Sequence, residues 1–383
     1  MNINEEALKA HKTWQGKLEI NSKAKVKTKE DLSIAYTPGV AEPCRKIHEN
    51  EEDVYTYTIK GNTVAVVSDG TAVLGLGDIG PKAALPVMEG KAVLFKEFAG
   101  INAVPICLDT KDTEEIIKTV KYLAPAFGGI NLEDIAAPRC FEIEERLKQE
   151  LDIPVFHDDQ HGTAIVVLAG IINALKIVKK DKENMKVVVN GAGSAGIAIT
   201  KLLLNYGFLD IILCDKNGIL HKEAKGMNWA QKEMVKITNK ENIKGDLKEA
   251  IKGADLFIGV SAPGILTKEM AASMNKDAII FAMANPIPEI MPNIAKEAGV
   301  RIVGTGRSDF PNQVNNVLAF PGIFKGALEG RKKQITEKMK LAAAKAIADM
   351  IPENELNEEN ILPKPFDEGI ANKVAEAIIN INE

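Results

Sequence analysis

Two separate stretches of the chain each place neighbouring carboxylates directly after a short apolar run. Glu133 and Asp134 lie in "GGINLEDI", and Asp158 and Asp159 follow "IPVFH". Hard divalent cations such as Mg²⁺ or Mn²⁺ prefer carboxylate oxygens and keep open positions for water or substrate. Carboxylates from two strand ends could therefore converge on one such ion.

The same residues allow two other interpretations. Asn131 could cap a helix whose first turn holds the acidic pair 133–134, where the helix dipole favours negative charge. In "HDDQH", the side chains of His157, Asp159 and His161 could instead hold zinc, although zinc sites usually show a more recognisable His/Cys pattern. Spacing alone leaves these alternatives open, together with simple turn roles.

A lysine and a tyrosine are candidates for proton transfer. Lys91 begins the mostly apolar stretch "KAVLF", and a desolvated lysine can act as a base near neutral pH. A lone lysine at such a place more often extends its amine to water. Tyr36 lies in "SIAYTPGVAEPC", where its prolines and glycine exclude a regular helix or central strand. A tyrosine in such a turn is typical of a surface anchor, so the pattern leaves its role open.

The strongest local signal is a glycine-rich turn between a predicted strand and an amphipathic helix. In "KVVVNGAGSAGIAITKLLLNYG", Gly191, Gly193 and Gly196 have GxGxxG spacing, with Ser194 and Ala195 before the last glycine. Such a turn lets backbone approach a pyrophosphate, and the following helix offers free N–H groups to the phosphates. The segment predicts dinucleotide binding; the alternative is a glycine turn in an α/β domain that binds no nucleotide.

The next predicted strand ends at Asp215, 19 residues after Gly196. A carboxylate at this distance can accept hydrogen bonds from the ribose hydroxyls. Asp215 favours NAD over NADP, because a 2′-phosphate would meet its negative charge. The neighbouring Lys216 keeps NADP possible, since a cation could pair with that phosphate.

Short runs rich in valine and isoleucine alternate with helical patterns along the chain, and this alternation predicts an α/β class with parallel sheets. The predicted strands are "TVAVVS", "AVPICLD", "IPVFHD", "KVVVNG", "DIILCD", "ADLFIGV", "AIIFAMA" and "VRIVGTG". We predict two domains: residues 1–160 on the substrate and metal side, and residues 161–383 as a doubly wound, Rossmann-type dinucleotide-binding domain with C-terminal helices. The stretch "KGALEGRKKQITEKMKLAAAKAIADMI" predicts one long helix.

The composition is that of a soluble globular protein, with 45% apolar and 26% charged residues among 383. The net charge of −5 and the lack of a basic block argue against nucleic acid or an anionic membrane as the main partner. The longest apolar run, "TAIVVLAGIINALKIVKK", is shorter than a membrane span and predicts a buried helix. No signal peptide is recognisable, and four cysteines without CxxC spacing favour a reduced cytoplasm.

Taken together, these segments resemble the malic enzymes in their short prokaryotic form. The matching motifs occur in order along almost the whole chain: "AYTPGVAEPC", "VSDGTAVLGLGDIGP", "MEGKAVLFKEFAGI", "GGINLEDI", "VFHDDQHGTA", "VVNGAGSAGIA", "MANPIPE" and "NQVNNVLAFPGIF". The resemblance implies oxidative decarboxylation of L-malate to pyruvate and CO₂ with NAD or NADP and Mg²⁺ or Mn²⁺. It also implies a homodimer or homotetramer, in which an active site shared across the interface is a reasonable hypothesis.

The resemblance also implies roles for particular residues. Tyr36 matches the family's catalytic tyrosine, Lys91 its catalytic lysine, and Asp158 an acidic residue beside the metal. The matched metal-binding carboxylates are Glu133, Asp134 and Asp159. The asparagines that match contacts to malate or the nicotinamide are Asn285 and Asn315, with an ambiguity between Asn315 and Asn316. In this scheme a neutral Lys91 takes the C2 hydroxyl proton, and Tyr36 protonates the enolate at C3.

One position departs from the larger eukaryotic members, which carry a malate-binding arginine where this chain has Ala72. The second carboxylate of malate must then find other donors, a partner-subunit residue among them. Two rival functions remain: malolactic chemistry, which yields lactate and CO₂ while NAD stays bound, and a nucleotide sensor with a dead active site. The short chain favours a malic enzyme over the first, and the intact Tyr36, Lys91 and metal carboxylates argue against the second.

Overall fold

The computed structural model of the chain describes residues 2–73 and 75–381, so the last two residues of the second predicted domain lie outside it. Its helices are α1 (Ile3–Trp14), α2 (Lys29–Ala35), α3 (Ala41–Glu49), α4 (Val54–Tyr57), α5 (Gly80–Ala99), α6 (Thr113–Leu123), α7 (Arg139–Glu150), α8 (Asp158–Val178), α9 (Ser194–Tyr206), α10 (Trp229–Val235), α11 (Leu247–Ile251), α12 (Lys268–Ala272), α13 (Pro292–Glu297), α14 (Phe320–Glu329), α15 (Glu337–Ala348) and α16 (Ile370–Ile379). Its strands are β1 (Thr63–Ser68), β2 (Asn102–Cys107), β3 (Gly129–Leu132), β4 (Val155–His157), β5 (Lys186–Asn190), β6 (Asp210–Asp215), β7 (Gly218–Ile219), β8 (Leu256–Gly259), β9 (Ile279–Ala282) and β10 (Ile302–Thr305).

The first sheet has four parallel strands in the order β2-β1-β3-β4. Side chains alternate between its faces, so Val64 and Val66 of β1 join a core with α5, while Ala65 and Val67 join a core with α6 and α7. The sheet is therefore covered by helices on both faces, as the continuous apolar run of β1 predicts. All four strands end at one edge, where the loops that follow them meet.

The second sheet has six strands in the order β10-β9-β8-β5-β6-β7. Its pairs are parallel except for β6 with the short β7. The chain leaves β5 toward β6 on one side and later returns to β8 on the other. This doubly wound order confirms the predicted Rossmann-type α/β fold, and it makes a crevice at the carboxyl end of β5.

Helix α8 links the two sheets. It begins directly after β4, and most of its residues lie in an apolar core that contains side chains of both β1 and β5. By length and composition alone α8 could cross a membrane, so the expectation that no apolar run reaches that length was too strict. Most of α8 is buried inside the protein, as expected of a core helix. The domain boundary at residue 160 stays a prediction, and α8 runs across it.

The C-terminal stretch differs from the prediction of one long helix. It forms α14 and α15, separated by a break after Gly330, and Thr336 caps α15 by accepting the backbone N–H of Met339. Phe320 of α14 packs edge-on against Phe95 of α5, with ring centroids 4.8 Å apart. The C-terminal helices thus contact the helix that carries Lys91.

Candidate active site

Parallel pairing of β3 with β4 brings the two acidic stretches together. The register sets Leu132 opposite His157, so the next residues, Glu133 and Asp158, leave the sheet side by side. The carboxylate argument assumed a strand end before Glu133, but the predicted strands omit β3, because "GGINL" is short and contains two glycines and an asparagine. The alternative in which Asn131 caps a helix is wrong: Asn131 lies within β3, and Glu133 and Asp134 follow the strand in a loop.

Three of the carboxylates form a compact cluster. Glu133, Asp134 and Asp159 each offer an oxygen, and these oxygens all lie within 4.8 Å of one another. Asp134 has a left-handed backbone (φ 54°) and donates its backbone N–H to Asp159 Oδ2 over 2.8 Å. Asp134 Oδ2 is buried and makes no hydrogen bond with the described residues. An unpaired buried oxygen within an all-carboxylate donor set fits a hard divalent cation such as Mg²⁺ or Mn²⁺.

The electrostatics of the cluster agree with this fit. Burial, followed by the charges of Asp159 and Glu133, raises the pKa of Asp134 to about 9. Burial and the charge of Asp158 raise the pKa of Asp159 to about 6, against the attraction of Lys91. Three neighbouring carboxylates in a desolvated place repel one another when ionised. A divalent cation would remove that repulsion.

Lys91 joins the other side of the cluster. Its Nζ lies 2.5 Å from Asp158 Oδ2 and 2.9 Å from Glu133 Oε1, and 4.3 Å from the centroid of the Phe320 ring. Burial opposes the ammonium form, but the charges of Asp158 and Glu133 outweigh it and raise the pKa of Lys91. In this arrangement the two carboxylates favour the proton on the amine, and the neutral form of Lys91 stays a prediction for the site with its ligands bound.

Asp158 is fully buried at the centre of the site. Its Oδ2 accepts hydrogen bonds from Lys91 Nζ and from Asn316 Nδ2, both over 2.5 Å. Its Oδ1 is buried without a partner among the described residues. Burial raises the pKa of Asp158 to about 7, although Lys91 acts in the opposite direction. Gly162, one turn later on α8, leaves room for this carboxylate, because a β-carbon there would lie 1.8 Å from Asp158 Oδ1.

The two adjacent asparagines have different places. Asn316 reaches Asp158, whereas Asn315 precedes a short 3-10 helix and accepts the backbone N–H of Val317 over 3.0 Å. The structure therefore brings Asn316 into the cluster, and a ligand contact by Asn315 stays a prediction. Spacing could not separate them, because a shift of one residue at a loop boundary decides which side chain faces the cluster.

The three side chains of the zinc alternative do not come together in the structure. His157 Nδ1 lies 3.6 Å from Asp159 Oδ2, but His161 is occupied elsewhere. His161 Nε2 is 2.8 Å from Glu144 Oε2, and Lys340 Nζ is 3.0 Å from His161 Nδ1. Sequence reasoning missed Glu144 and Lys340, because they come from α7 and α15 and meet His161 only in the folded chain.

The glycine-rich turn has the geometry that a dinucleotide needs. Gly191 has φ 116°, and a β-carbon there would lie 2.4 Å from the carbonyl oxygen of Val260. A β-carbon on Gly196 would lie 1.8 Å from the carbonyl oxygen of Gly191, so this glycine lets α9 pack against the turn. A β-carbon on Gly193 would meet no described atom within 4 Å, so that position faces open space. Helix α9 begins at Ser194, with Ala195 in its first turn.

Asp215 is the last residue of β6, as predicted, and its Oδ1 accepts the backbone N–H of Asn217 over 2.7 Å. This places its carboxylate beside the crevice at the end of β5. Sequence reasoning missed Glu289 of "ANPIPE", which is buried and accepts the backbone N–H groups of Ala284 and Ser261 over 3.0 and 2.9 Å. Glu289 thereby fixes the loop that carries Asn285.

That loop reaches the first sheet. A β-carbon on Gly75 would lie 3.9 Å from the carbonyl oxygen of Asn285, so Asn285 lies against the loop after β1. In the same loop Ala72 donates its backbone N–H to the carbonyl oxygen of Asp134 over 2.9 Å. The loop that would carry the arginine of larger relatives is therefore next to the carboxylate cluster, and it has alanine at that position.

Tyr36 is not brought to the cluster. It ends α2, 67% of its surface is exposed, and its hydroxyl makes no hydrogen bond with any residue that the structure describes. The groups in contact with Lys91 Nζ are the Asp158 and Glu133 carboxylates and the Phe320 ring. The predicted proton donor and the predicted base are thus separate within one chain.

Comparison with known proteins covers both halves of the chain. The family model described as the malic enzyme N-terminal domain matches residues 15–148, and the one described as the malic enzyme NAD-binding domain matches residues 160–382. The bifunctional malic/malolactic enzyme of Bacillus subtilis (strain 168) is 62% identical over 99% of this chain and 92% of its own length. The NAD-dependent malic enzyme of Geobacillus stearothermophilus is 63% identical over 95% of this chain and 76% of its own length.

A solved structure has the same fold over nearly the whole chain. The crystal structure of an NAD-dependent malic enzyme from Thermotoga maritima superposes with a TM-score of 0.95 at 52% identity, covering 98% of this chain and 99% of that one. The two folds are therefore the same from the first sheet through the C-terminal helices.

Proposed function

Since the chain belongs to the malic enzyme family, we propose that it converts L-malate to pyruvate and CO₂ with reduction of NAD. The observation that carries the proposal is the convergence of Glu133, Asp134 and Asp159 beside the Lys91–Asp158 pair. A dinucleotide turn and a cluster for a hard cation, both at carboxyl ends of parallel strands, suit hydride transfer followed by decarboxylation.

The carboxylates Glu133, Asp134 and Asp159 would hold the divalent cation. Bound there, such an ion acts as a Lewis acid that stabilises negative charge on the C2 oxygen of the substrate. Asp158 has a different part: its Oδ2 positions the Lys91 amine, and Asn316 fixes the carboxylate from the other side.

Lys91 is the proposed base for the C2 hydroxyl proton. Hydride leaves C2 for the nicotinamide as that proton passes to the amine, so Lys91 must first release the proton that Asp158 and Glu133 hold on it. Glu133 engaged as a metal ligand would favour the ammonium less, which would lower the pKa of Lys91 and let the amine accept the proton. The resulting 2-oxo acid loses its C4 carboxyl group as CO₂, and the bonding electrons form the C2–C3 enolate.

Tyr36 is the proposed acid that protonates C3 of the enolate, which completes pyruvate. Asn285 and Asn315 are proposed to contact malate or the nicotinamide. The loop that carries Asn285 is held by Glu289, which supports this role. The second carboxylate of malate has no arginine at Ala72, so we propose that amide groups of this kind bind it.

The glycine turn with Ser194 and Ala195 is proposed to bind the pyrophosphate at the N-terminus of α9. Asp215 is proposed to bind the adenosine ribose, which favours NAD. Exchange of Asp215 for Asn should raise the KM for NAD about tenfold, the equivalent of about 1.4 kcal/mol. A wild-type preference for NADP would show that Lys216 outweighs Asp215.

A malolactic activity is the second candidate, because the Bacillus subtilis relative is described as a bifunctional malic/malolactic enzyme. The two reactions share every step up to pyruvate and differ in whether reduced NAD is released or returns its hydride. Both could therefore occur at the same site.

The test is an assay of the purified chain with L-malate, Mn²⁺ and either NAD or NADP, with EDTA as the control. We expect metal-dependent formation of reduced nicotinamide in equal amount to pyruvate. Lactate without reduced nicotinamide would favour the malolactic reaction, and no turnover with NAD still bound would refute the roles of Lys91 and Tyr36. We further propose a homodimer or homotetramer that acts in the cytoplasm.

A further inference from the structure

A cleft apart from the carboxylate cluster lies between α8, α9 and α15. Its volume is about 390 Å³, which is within the range of small-molecule sites. Its walls are mostly apolar and are formed by Ala164, Ala198, Leu202, Leu204 and Ile237. Among the residues that the structure describes, none with a role in the proposed reaction lines this cleft, so it is a separate feature of the fold.

One end of the cleft is polar and holds a buried lysine. Lys340 is 2% exposed, and its Nζ lies 3.0 Å from His161 Nδ1 and 2.7 Å from Glu337 Oε1. An ammonium has three N–H groups, so one of them has no acceptor among the described residues. A buried N–H group without an acceptor costs free energy. Because Lys340 lines the cleft, a ligand there can supply the missing acceptor.

The charges that line the cleft favour an anion. Lys201 is exposed at its edge and makes no hydrogen bond or ion pair with the described residues. The carboxylate in the lining, Glu337, already accepts from Lys340 and from Asn205 Nδ2, the latter over 3.1 Å. Two ammonium groups and one carboxylate leave one positive charge without compensation. A ligand with an anionic head and an apolar body fits both the charge and the walls.

A chain of hydrogen bonds leads from this cleft to the proposed active site. Since Lys340 donates to His161 Nδ1, the hydrogen of the imidazole is assigned to Nε2, which donates to Glu144 Oε2 over 2.8 Å. Glu144 Oε1 accepts the backbone N–H of His157 over 3.3 Å. His157 directly precedes Asp158, so a ligand that draws Lys340 away from His161 alters the support of the turn that carries the catalytic carboxylates.

We propose that the cleft between α8, α9 and α15 binds a small aliphatic carboxylate, and that this effector lowers the turnover of malate. The carboxylate accepts hydrogen bonds from Lys340 and Lys201, and the aliphatic chain packs against the apolar walls. The effect on turnover rests on the proposed function, whereas binding in the cleft does not depend on it.

The first test is titration calorimetry with hexanoate as the probe, compared with acetate and 1-hexanol. Each buried methylene group strengthens binding about fourfold, so hexanoate should bind about tenfold or more tightly than acetate. Hexanol has the chain without the charge and should bind about tenfold more weakly than hexanoate. Absence of hexanoate binding, or equal binding of the three compounds, would overturn the proposal.

Two variants locate the binding. Ala198→Leu fills part of the cleft and should weaken hexanoate binding about tenfold, and Lys201→Gln removes one cation and should weaken it about threefold. The matched control is Lys338→Gln, an exposed lysine of α15 that does not line the cleft, and it should bind hexanoate as the wild type does. Unchanged binding in either folded variant would place hexanoate elsewhere and overturn the proposal. Lys201→Gln alters only the surface and decides the question if the Ala198→Leu protein does not fold.

Steady-state kinetics then test the effect on turnover. Saturating hexanoate should lower kcat about fivefold in the wild type and in Lys338→Gln, but not in Ala198→Leu. An increase in the KM for malate alone would place hexanoate in the malate site, and unchanged kinetics with hexanoate bound would show that the cleft is not an effector site; either result would overturn the proposal. A wild-type protein without malate-dependent turnover would refute the proposed function instead, and calorimetry would still decide whether the cleft binds a carboxylate.

Discussion

Gly162→Ala tests how the fold positions the central carboxylate of the site. Gly162 lies one turn after Asp158 on α8, and a β-carbon there would lie 1.8 Å from Asp158 Oδ1, far inside the 3.0 Å that such atoms keep. The carboxylate cannot rotate away freely, because Lys91 and Asn316 both hold its Oδ2 over 2.5 Å. The added methyl group must therefore break these hydrogen bonds or distort α8.

The size of the effect follows from those contacts. A hydrogen bond to a charged group contributes about 1.5–3 kcal/mol, and a buried ion pair that loses one partner costs about 3–5 kcal/mol. Alanine is favoured over glycine within a helix by about 1 kcal/mol, which offsets part of the loss. We expect the free energy of unfolding to fall by about 1–3 kcal/mol. Because Lys91 would move with its partner, kcat/KM should fall about 100-fold.

The assay is malate-dependent reduction of NAD, together with thermal unfolding followed by circular dichroism. The control is Thr163→Ala, the next residue on α8, whose side chain makes no hydrogen bond with the described residues. It should leave both quantities close to those of the wild type. A Gly162→Ala protein with wild-type kcat/KM and an unchanged melting temperature would show that Asp158 is free to move, and would refute the argument.

Three further predictions concern other contacts of the site. Burial raises the pKa of the Asp134 carboxyl to about 9, so a cation must displace its proton, and Mn²⁺ should raise the melting temperature more at pH 8 than at pH 6. Without a cation, the same raised pKa lowers the stability of the protein as the pH rises from the carboxyl's ordinary range toward 9. An Mn²⁺-induced shift in melting temperature that is equal at both pH values would contradict the assignment. Asn316→Ala should lower kcat more than Asn315→Ala, because Asn316 donates to Asp158 whereas Asn315 caps a short helix, and steady-state kinetics that give the reverse order would contradict this. Glu289→Gln should raise the KM for NAD several-fold, about 1 kcal/mol, because an amide offers one acceptor oxygen where two backbone N–H groups are bound; an unchanged KM would show that the loop holds its shape without the carboxylate.

The amino-acid sequence determined the parts of this protein that depend on local pattern. The alternation of apolar runs with helical periods predicted the α/β class, and the run from the glycine turn to Asp215 predicted β5, α9 and β6. These features are local because the spacing of strand, turn and helix is itself what makes a dinucleotide turn. The ordered motifs likewise identified the family before any contact between distant residues was visible.

Tertiary structure decided the contacts between elements. Only the register of β3 with β4 showed that Glu133 and Asp158 lie side by side. Only the packing of the short 3-10 helix Asn316–Leu318 against α8 showed that Asn316 reaches Asp158. The surroundings of Lys91 also depended on the fold, because its two carboxylate neighbours are far away in sequence.

Tyr36, in residues 2–57, is the residue for which the sequence motif and the fold of one chain disagree. The motif around Tyr36 indicated a catalytic tyrosine, yet the fold of one chain leaves that side chain exposed and apart from Lys91. A short motif indicates which group the chemistry needs, but proximity arises from packing, and no residue of α1, α2 or α3 is buried. For this residue the motif predicted the chemical group, whereas the fold of the chain decided its position, at the exposed surface and away from the Lys91 amine.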